Sequence, residues 1–240
     1  TLAQLLSFTS GLQPPGGSDE PCVSLPVGSL ERCVERIYLA AAGGRLTPGK
    51  EFVYGSHHMQ VAGLMAIHAR GVSEWREVFD GFKASTGLFP TAAYDLPSQH
   101  KPRLAGGMHW TANEYLEFLR RLAGGGLLRP ETRSRMWADH TGAGSVVMLA
   151  SPIDAGLGEA WHYGLGVWRE CASATYLAGC DVLDRVSSPG AYGAYPFISF
   201  GNGYCGILAR QGSLGTFRDG IAVYRDLGPL VDELARAARQ

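Results

Sequence analysis

The apolar residues of this 240-residue chain change their spacing near residue 160, and that change limits the architectures open to it. In "SLERCVERIYLAA", Leu30, Val34, Ile37 and Ala41 recur at three- and four-residue steps behind Ser29, the spacing of an amphipathic helix with a serine N-cap. From Ser56 onward Met59, Ala62, Gly63, Met65, Ala66 and Ala69 predict a second apolar helix face, closed by Gly71. "TANEYLEFLRRLAGGG" predicts a third, with Thr111 and Glu114 as a capping box and Gly124 to Gly126 as its end. Beyond residue 160, "YGLGVWRE", "AYPFISF" and "YCGILARQ" are short aromatic and β-branched runs, the last two joined by "GNG" as in a hairpin. "GPLVDELARAARQ" closes the chain as an amphipathic helix with Leu230, Leu234 and Ala238 on one side. The fold class expected is α+β: a mostly helical lobe over 1–160, then antiparallel strands and a terminal helix over 161–240, packed with the first part as one domain.

At 45% hydrophobic and 18% charged residues the chain is able to bury a substantial core. A formal charge of −1 and the lack of any basic run exclude the electrostatic footprint of a nucleic-acid or anionic-membrane binder. Apolar stretches such as "SVVMLA" fall far short of the roughly 20 residues that span a bilayer. Thr1 does not begin a charged-then-apolar pattern, so any export signal is expected upstream of it. Four of the five cysteines bracket short segments, Cys22 with Cys33 and Cys171 with Cys180, and are expected to pair locally in a secreted or periplasmic protein. Cys205 alternates like a buried strand residue.

Three patterns bear on chemistry. His57 and His58 are neighbours, and adjacent helix positions point about 100° apart, so the pair is a poor metal site; no metal or organic cofactor is expected. At least one of the two is expected as a polar residue of the first helical turn with water partners, while the other is able to face a cleft beside Tyr54. There is no G-x-S-x-G elbow, which excludes the α/β-hydrolase signature. A serine activated by a lysine one helical turn later needs S-x-x-K. The match, Ser98 to Lys101, lies between Pro97 and Pro102, where a helix is unfavourable.

Five segments, in order, resemble the penicillin-recognising serine hydrolases, that is class C β-lactamases, D-alanyl-D-alanine carboxypeptidases and esterases of the same fold. "TLAQLLSFTSGL" is similar to the family's "iTlrqLLsHTSGL", with Phe8 where histidine is frequent. "PGKEFVYGSHHMQVAGLMA" resembles "PGt.f.YsN..y.llG" and places Tyr54 on the catalytic tyrosine. "RLAGGMHWTANEYLEFLRRLAGGG" and "YGLGVW" resemble the two following segments, and "SSPGAYGAYPFISF" sits where the family carries its K-T-G or H-T-G strand.

The resemblance implies a helical lobe plus an antiparallel sheet flanked by helices, and an acyl-enzyme mechanism with Tyr54 as general acid/base. Ser56, in place of the family's asparagine, is implied as a helix cap, a substrate-amide ligand, or both. Ser188-Pro189-Gly190-Ala191 falls on the K/H-T/S-G motif but lacks its cation, which points to a neutral ester or amide substrate. Gly190 is implied to admit substrate, and the Ala191 N–H to donate to an oxyanion. The family's S-x-x-K helix lies before the segment matched by residues 1–12, so the nucleophile and its lysine are expected upstream, on a segment that would be this chain's missing partner. The alternative is a catalytically inactive scaffold that keeps the cleft for binding.

Overall fold

The computed structural model describes residues 1–44, 46–142 and 144–238. Two compact units emerge, Thr1–Trp110 with His140–Pro152, and Thr111–Asp139 with Ile153–Gln240. The helix-rich stretch before residue 160 is therefore shared between them: 111–139 belongs to the same unit as the strands after residue 160.

The first unit contains helices α1 (Leu2–Leu6), α2 (Leu30–Ala42), α3 (His57–Arg70) and α4 (Trp75–Thr86), with strands β1 (Glu51–Val53), β2 (Ala93–Tyr94), β3 (Met108–His109) and β4 (Val147–Ala150). β1 runs parallel to β4, and β2 antiparallel to β3. Helices α1, α2 and α4 all pack on α3. Ser29 caps α2 by accepting the Arg32 N–H, and the helix buries Leu30, Cys33 and Ile37. Ile37 is fully buried, worth about 1.5–3 kcal/mol relative to an exposed side chain. Cys33 is bonded to Cys22 across an 11-residue separation, pinning the loop before α2 onto that helix. A closure of this length stabilises by about 2–3 kcal/mol in the chain-entropy model. Cys171 and Cys180 form the second expected bond, and Cys205 is the free cysteine.

The second unit holds α5 (Ala112–Ala123), α6 (Pro130–Trp137), α7 (Pro152–Leu157), α8 (Phe217–Ala237) and strands β5 (His162–Tyr163), β6 (Trp168–Arg169), β7 (Arg185–Ser187), β8 (Tyr195–Ser199) and β9 (Tyr204–Leu208). These strands form one antiparallel sheet in the order β5-β6-β7-β8-β9. Strand alternation sorts its side chains: Val186 and Ile198 face α5 with Leu119 and Leu122, whereas Tyr195 and Phe197 pack at a tilt against Tyr224 of α8. The expected capping box at Thr111 and Glu114 is present.

Three expectations are corrected. "YGLGVWRE" is not one strand but two short ones around a turn closed by the Gly164 N–H to Val167 carbonyl bond. The last helix begins twelve residues before Pro229 and passes through it, because Ile221 and Tyr224 are anchored on the sheet. Its buried residues are Gly220, Ile221, Tyr224 and Gly228, while Leu230 and Leu234 are exposed and Ala238 is the C-cap. They lie roughly a quarter turn from the buried stripe. On α3, Met65 and Ala69 are exposed, and the buried positions include His57, His58 and Gln60. Among the described residues, no helix is long and apolar enough to cross a membrane.

Candidate active site

Tyr54 follows β1, its N–H donating to the Ala150 carbonyl at 3.0 Å. Its ring meets Phe8 edge-on at 4.6 Å, with Phe52 at 6.5 Å. Phe8 is held at φ 55, a left-handed conformation uncommon for a bulky residue, and the Val53 N–H donates to its carbonyl. The tyrosine is thus placed by a strand pairing behind it and an aromatic wall beside it, and it is neither fully buried nor exposed.

The turn after it is held from a distance. Gly55 leaves room for the Gln13 side chain, which a Cβ there would meet at 2.1 Å. The Gln13 Oε1 accepts the His57 N–H at 3.1 Å, and its Nε2 donates to Gly17 and Ser18 carbonyls and to Asp19. Asp19 Oδ1 accepts the Ser56 N–H at 3.1 Å, and Asp19 Oδ2 takes Arg103 Nη2 at 2.9 Å. Ser56 itself is not a side-chain cap: at φ −79, ψ −19 it is already helical, and its hydroxyl instead accepts from Arg103 Nε and Nη2 at 3.2 and 3.0 Å. Of the free N–H groups at the start of α3, those of Ser56 and His57 are satisfied by Asp19 and Gln13. Neither residue carries a local sequence signal for this role; proximity alone reveals it.

The histidines are not solvated. Each is 1% exposed and has both ring nitrogens engaged. His57 Nε2 accepts the Glu20 N–H at 2.7 Å, so its Nδ1 carries the proton donated to the Leu12 carbonyl at 2.9 Å. His58 has the opposite tautomer: Nε2–H donates to the Val53 carbonyl, and Nδ1 accepts from Ser10 Oγ, both at 2.9 Å. Both are buried struts that tie α3 to the segments flanking Tyr54. No group of three or more His, Cys, Asp or Glu suited to a metal occurs among the described residues.

Burial pushes His58 from its ordinary 6.5 down to about 4, with the Val53 carbonyl opposing and His57 adding to the shift. The unfolded chain therefore takes up a proton that the folded one refuses as pH falls from 6.5 to 4. The sign is a loss of stability with acid across that window, up to about 3 kcal/mol from this group. Denaturant titrations at pH 7 and 4.5 are expected to show this loss in the parent and a smaller one in His58→Asn; equal losses would refute the assignment.

The Ser98 to Lys101 pair is non-helical, as expected. Ser98 Oγ donates to the Pro26 carbonyl at 3.2 Å, and the buried Lys101 Nζ donates to the Cys22 carbonyl. Burial, and then the Arg36 charge, lower the Lys101 amine. The pair is a support for the disulfide loop.

In the second unit, the Ser188 to Ala191 segment extends the β7–β8 hairpin. Ser188 N–H donates to Pro196 O at 3.0 Å and Gly190 N–H to Ala194 O at 2.8 Å. A turn closes at Gly193, φ 94, whose N–H returns to the Gly190 carbonyl. The tip is braced by the loop before α8: Gly215 N–H donates to the Ala191 carbonyl and Gly212 N–H to that of Tyr192, at 2.8 and 2.7 Å. The exposed Ala191 N–H donates to no acceptor among the described residues. At Gly190 a Cβ would meet nothing closer than 3.6 Å and φ is not left-handed, so neither packing nor backbone requires glycine there.

A tyrosine entering a helix and a five-stranded antiparallel sheet with helices on both faces, its K/H-T/S-G-like hairpin braced by the last helix's loop, define a β-lactamase/penicillin-binding-protein fold. The chain superposes on a candidate β-lactamase from Bacteroides dorei with TM-score 0.66 and 32% identity, over 88% of this chain and 64% of that one. A β-lactamase from Mycobacterium bovis gives 0.62 and 16% over 94% and 74%, and a D-amino acid amidase from Ochrobactrum anthropi 0.60 and 16% over 98% and 72%. No family model and no curated protein matches the sequence. The chain has the β-lactamase/penicillin-binding-protein-like fold, and it spans somewhat under two thirds of the Bacteroides protein's length.

Proposed function

We propose that the protein is a serine hydrolase that forms an acyl-enzyme from a neutral ester or amide. Tyr54 is the general acid/base, and the nucleophilic serine and its lysine precede residue 1. The serine oxygen adds to the acyl carbon while its proton passes to the Tyr54 phenolate; the phenol then protonates the departing alcohol or amine. Water repeats the sequence on the acyl-enzyme and releases the acid. The observation that carries this reading is the hairpin tip, where the Ala191 N–H is left unused while the carbonyls of Ala191 and Tyr192 are both anchored. A donor fixed in advance of the reaction is what an oxyanion requires. The unforced glycine at 190 supports approach of a substrate, and Ser188 in place of a cation supports a neutral one. The similarity to an amidase supports acyl chemistry, and the two disulfides support a secreted or periplasmic location. Ser56, whose hydroxyl is buried against Arg103, is assigned to orienting that guanidinium or a substrate amide.

The full-length protein treated with a fluorophosphonate probe is expected to be labelled once, at a serine before Thr1, and to hydrolyse p-nitrophenyl esters faster than anionic β-lactams. No labelling and no turnover would establish the inactive scaffold. Labelling at a serine within 1–240 would show that the nucleophile is misassigned.

A further inference from the structure

Between α5 and the sheet of the second unit lies a half-open cavity of about 150 Å³, lined by Phe118, Leu122, Met136, Val167, Val186 and Ser188 among others. Its position follows from the pleat. Val186 and Ser188 are two residues apart along one edge of the hairpin and share the face turned to α5, opposite Ile198 and Pro196. Around the cavity that face is closely packed, with Leu119, Leu122, Val186 and Ile198 all nearly inaccessible. No residue lining it carries a charge, so it does not compensate a carboxylate or an ammonium. A volume of about 150 Å³ is enough for a benzene-sized guest. The hydroxyl of Ser188 is a hydrogen-bonding group in its wall, and the next residues are Pro189, Gly190 and Ala191.

We propose that this cavity binds an apolar, benzene-sized group of a neutral substrate, with Ser188 as its polar contact. The inference rests on the proposed hydrolase function for calling the guest a substrate, and names its class: esters or amides with an uncharged aryl or branched alkyl group.

The test is direct binding. Full-length protein labelled with 13C at the methionine methyls is titrated with phenylacetamide and, separately, with phenylacetate. Met136 is expected to shift saturably with the neutral compound and to need about tenfold more of the anion. Met65, exposed on α3, is expected not to move. Leu122→Trp, which fills the cavity, is expected to abolish the Met136 response; if that variant does not fold, Val167→Phe serves instead. No saturable shift, equal affinity for the anion, or a response that survives in the filled variants would overturn the proposal. A Met136 response without hydrolysis of p-nitrophenyl phenylacetate keeps the cavity assignment and removes the hydrolase reading. Hydrolysis unaffected by filling, with Met136 silent, does the reverse.

Discussion

Tyr54→Phe is expected to lower ester turnover of the full-length protein by about 100-fold or more, the usual loss on removing an acid/base group. The substitution keeps the ring that meets Phe8 at 4.6 Å and Phe52 at 6.5 Å, so the aromatic wall stays packed. It also leaves the Tyr54 N–H on the Ala150 carbonyl and the Gln13 and Asp19 bonds to α3 untouched. The unfolding midpoint is accordingly expected to change little. That separation makes the experiment informative, because a tyrosine retained only for packing would leave turnover unchanged as well. Parental turnover in the phenylalanine variant would reassign Tyr54 to the core. Single-turnover measurements are expected to place the loss in acylation, where the serine proton is first taken.

Arg185→Met is expected to be the most destabilising single change in the second unit, costing about 3 kcal/mol or more. Arg185 opens β7, and its guanidinium lies over the Tyr224 and Phe197 rings at 4.6 and 5.6 Å. It is also 3.7 Å from Glu170 Oε2, whose other oxygen accepts the Tyr195 hydroxyl at 2.5 Å. Burial already raises the Glu170 carboxyl, even with Arg185, Tyr195 and Ser187 favouring its ionised form. Removing the cation leaves a buried carboxylate with less compensation, and that penalty exceeds the lost ring contacts. Glu170→Gln in the same chain is expected to restore most of the stability, since both charges are then gone. Additive losses in the double variant, read from denaturant midpoints, would show that the two residues are not coupled. The pH dependence has a definite sign. A carboxyl raised in the folded state favours the fold when protonated, so its contribution declines as pH climbs above the ordinary carboxylate range. This runs opposite to His58, which is why differences between parent and variant, not the parent curve alone, isolate each group.

Much of the secondary structure was legible residue by residue. The Thr111–Glu114 box, the Ser29 cap of α2, the left-handed Gly71, the β8–β9 hairpin and both disulfides depend on groups within about a dozen positions of one another. Ordered motifs extended that reach to the fold, because a fold preserves the sequence of its elements even when single positions drift.

What surrounds Tyr54 was not legible, and the reason is distance along the chain. The groups that cap α3 lie 37 and 44 residues from the N–H groups they accept, and Arg103 reaches Ser56 from 47 residues away. No local pattern records such partners. Periodicity also finds an apolar stripe without revealing what covers it: Leu230 and Leu234 repeat as a helix face should, yet Ile221 and Tyr224 meet the sheet. The converse holds for His57 and His58, polar by type but fully buried because main-chain and serine groups arrive to satisfy every ring nitrogen. Residue type and spacing determine which hydrogen bonds and apolar contacts a segment is able to make. Tertiary structure alone decides which remote groups complete them, since an unpaired polar group is stable in the interior only when the rest of the chain brings its partner there.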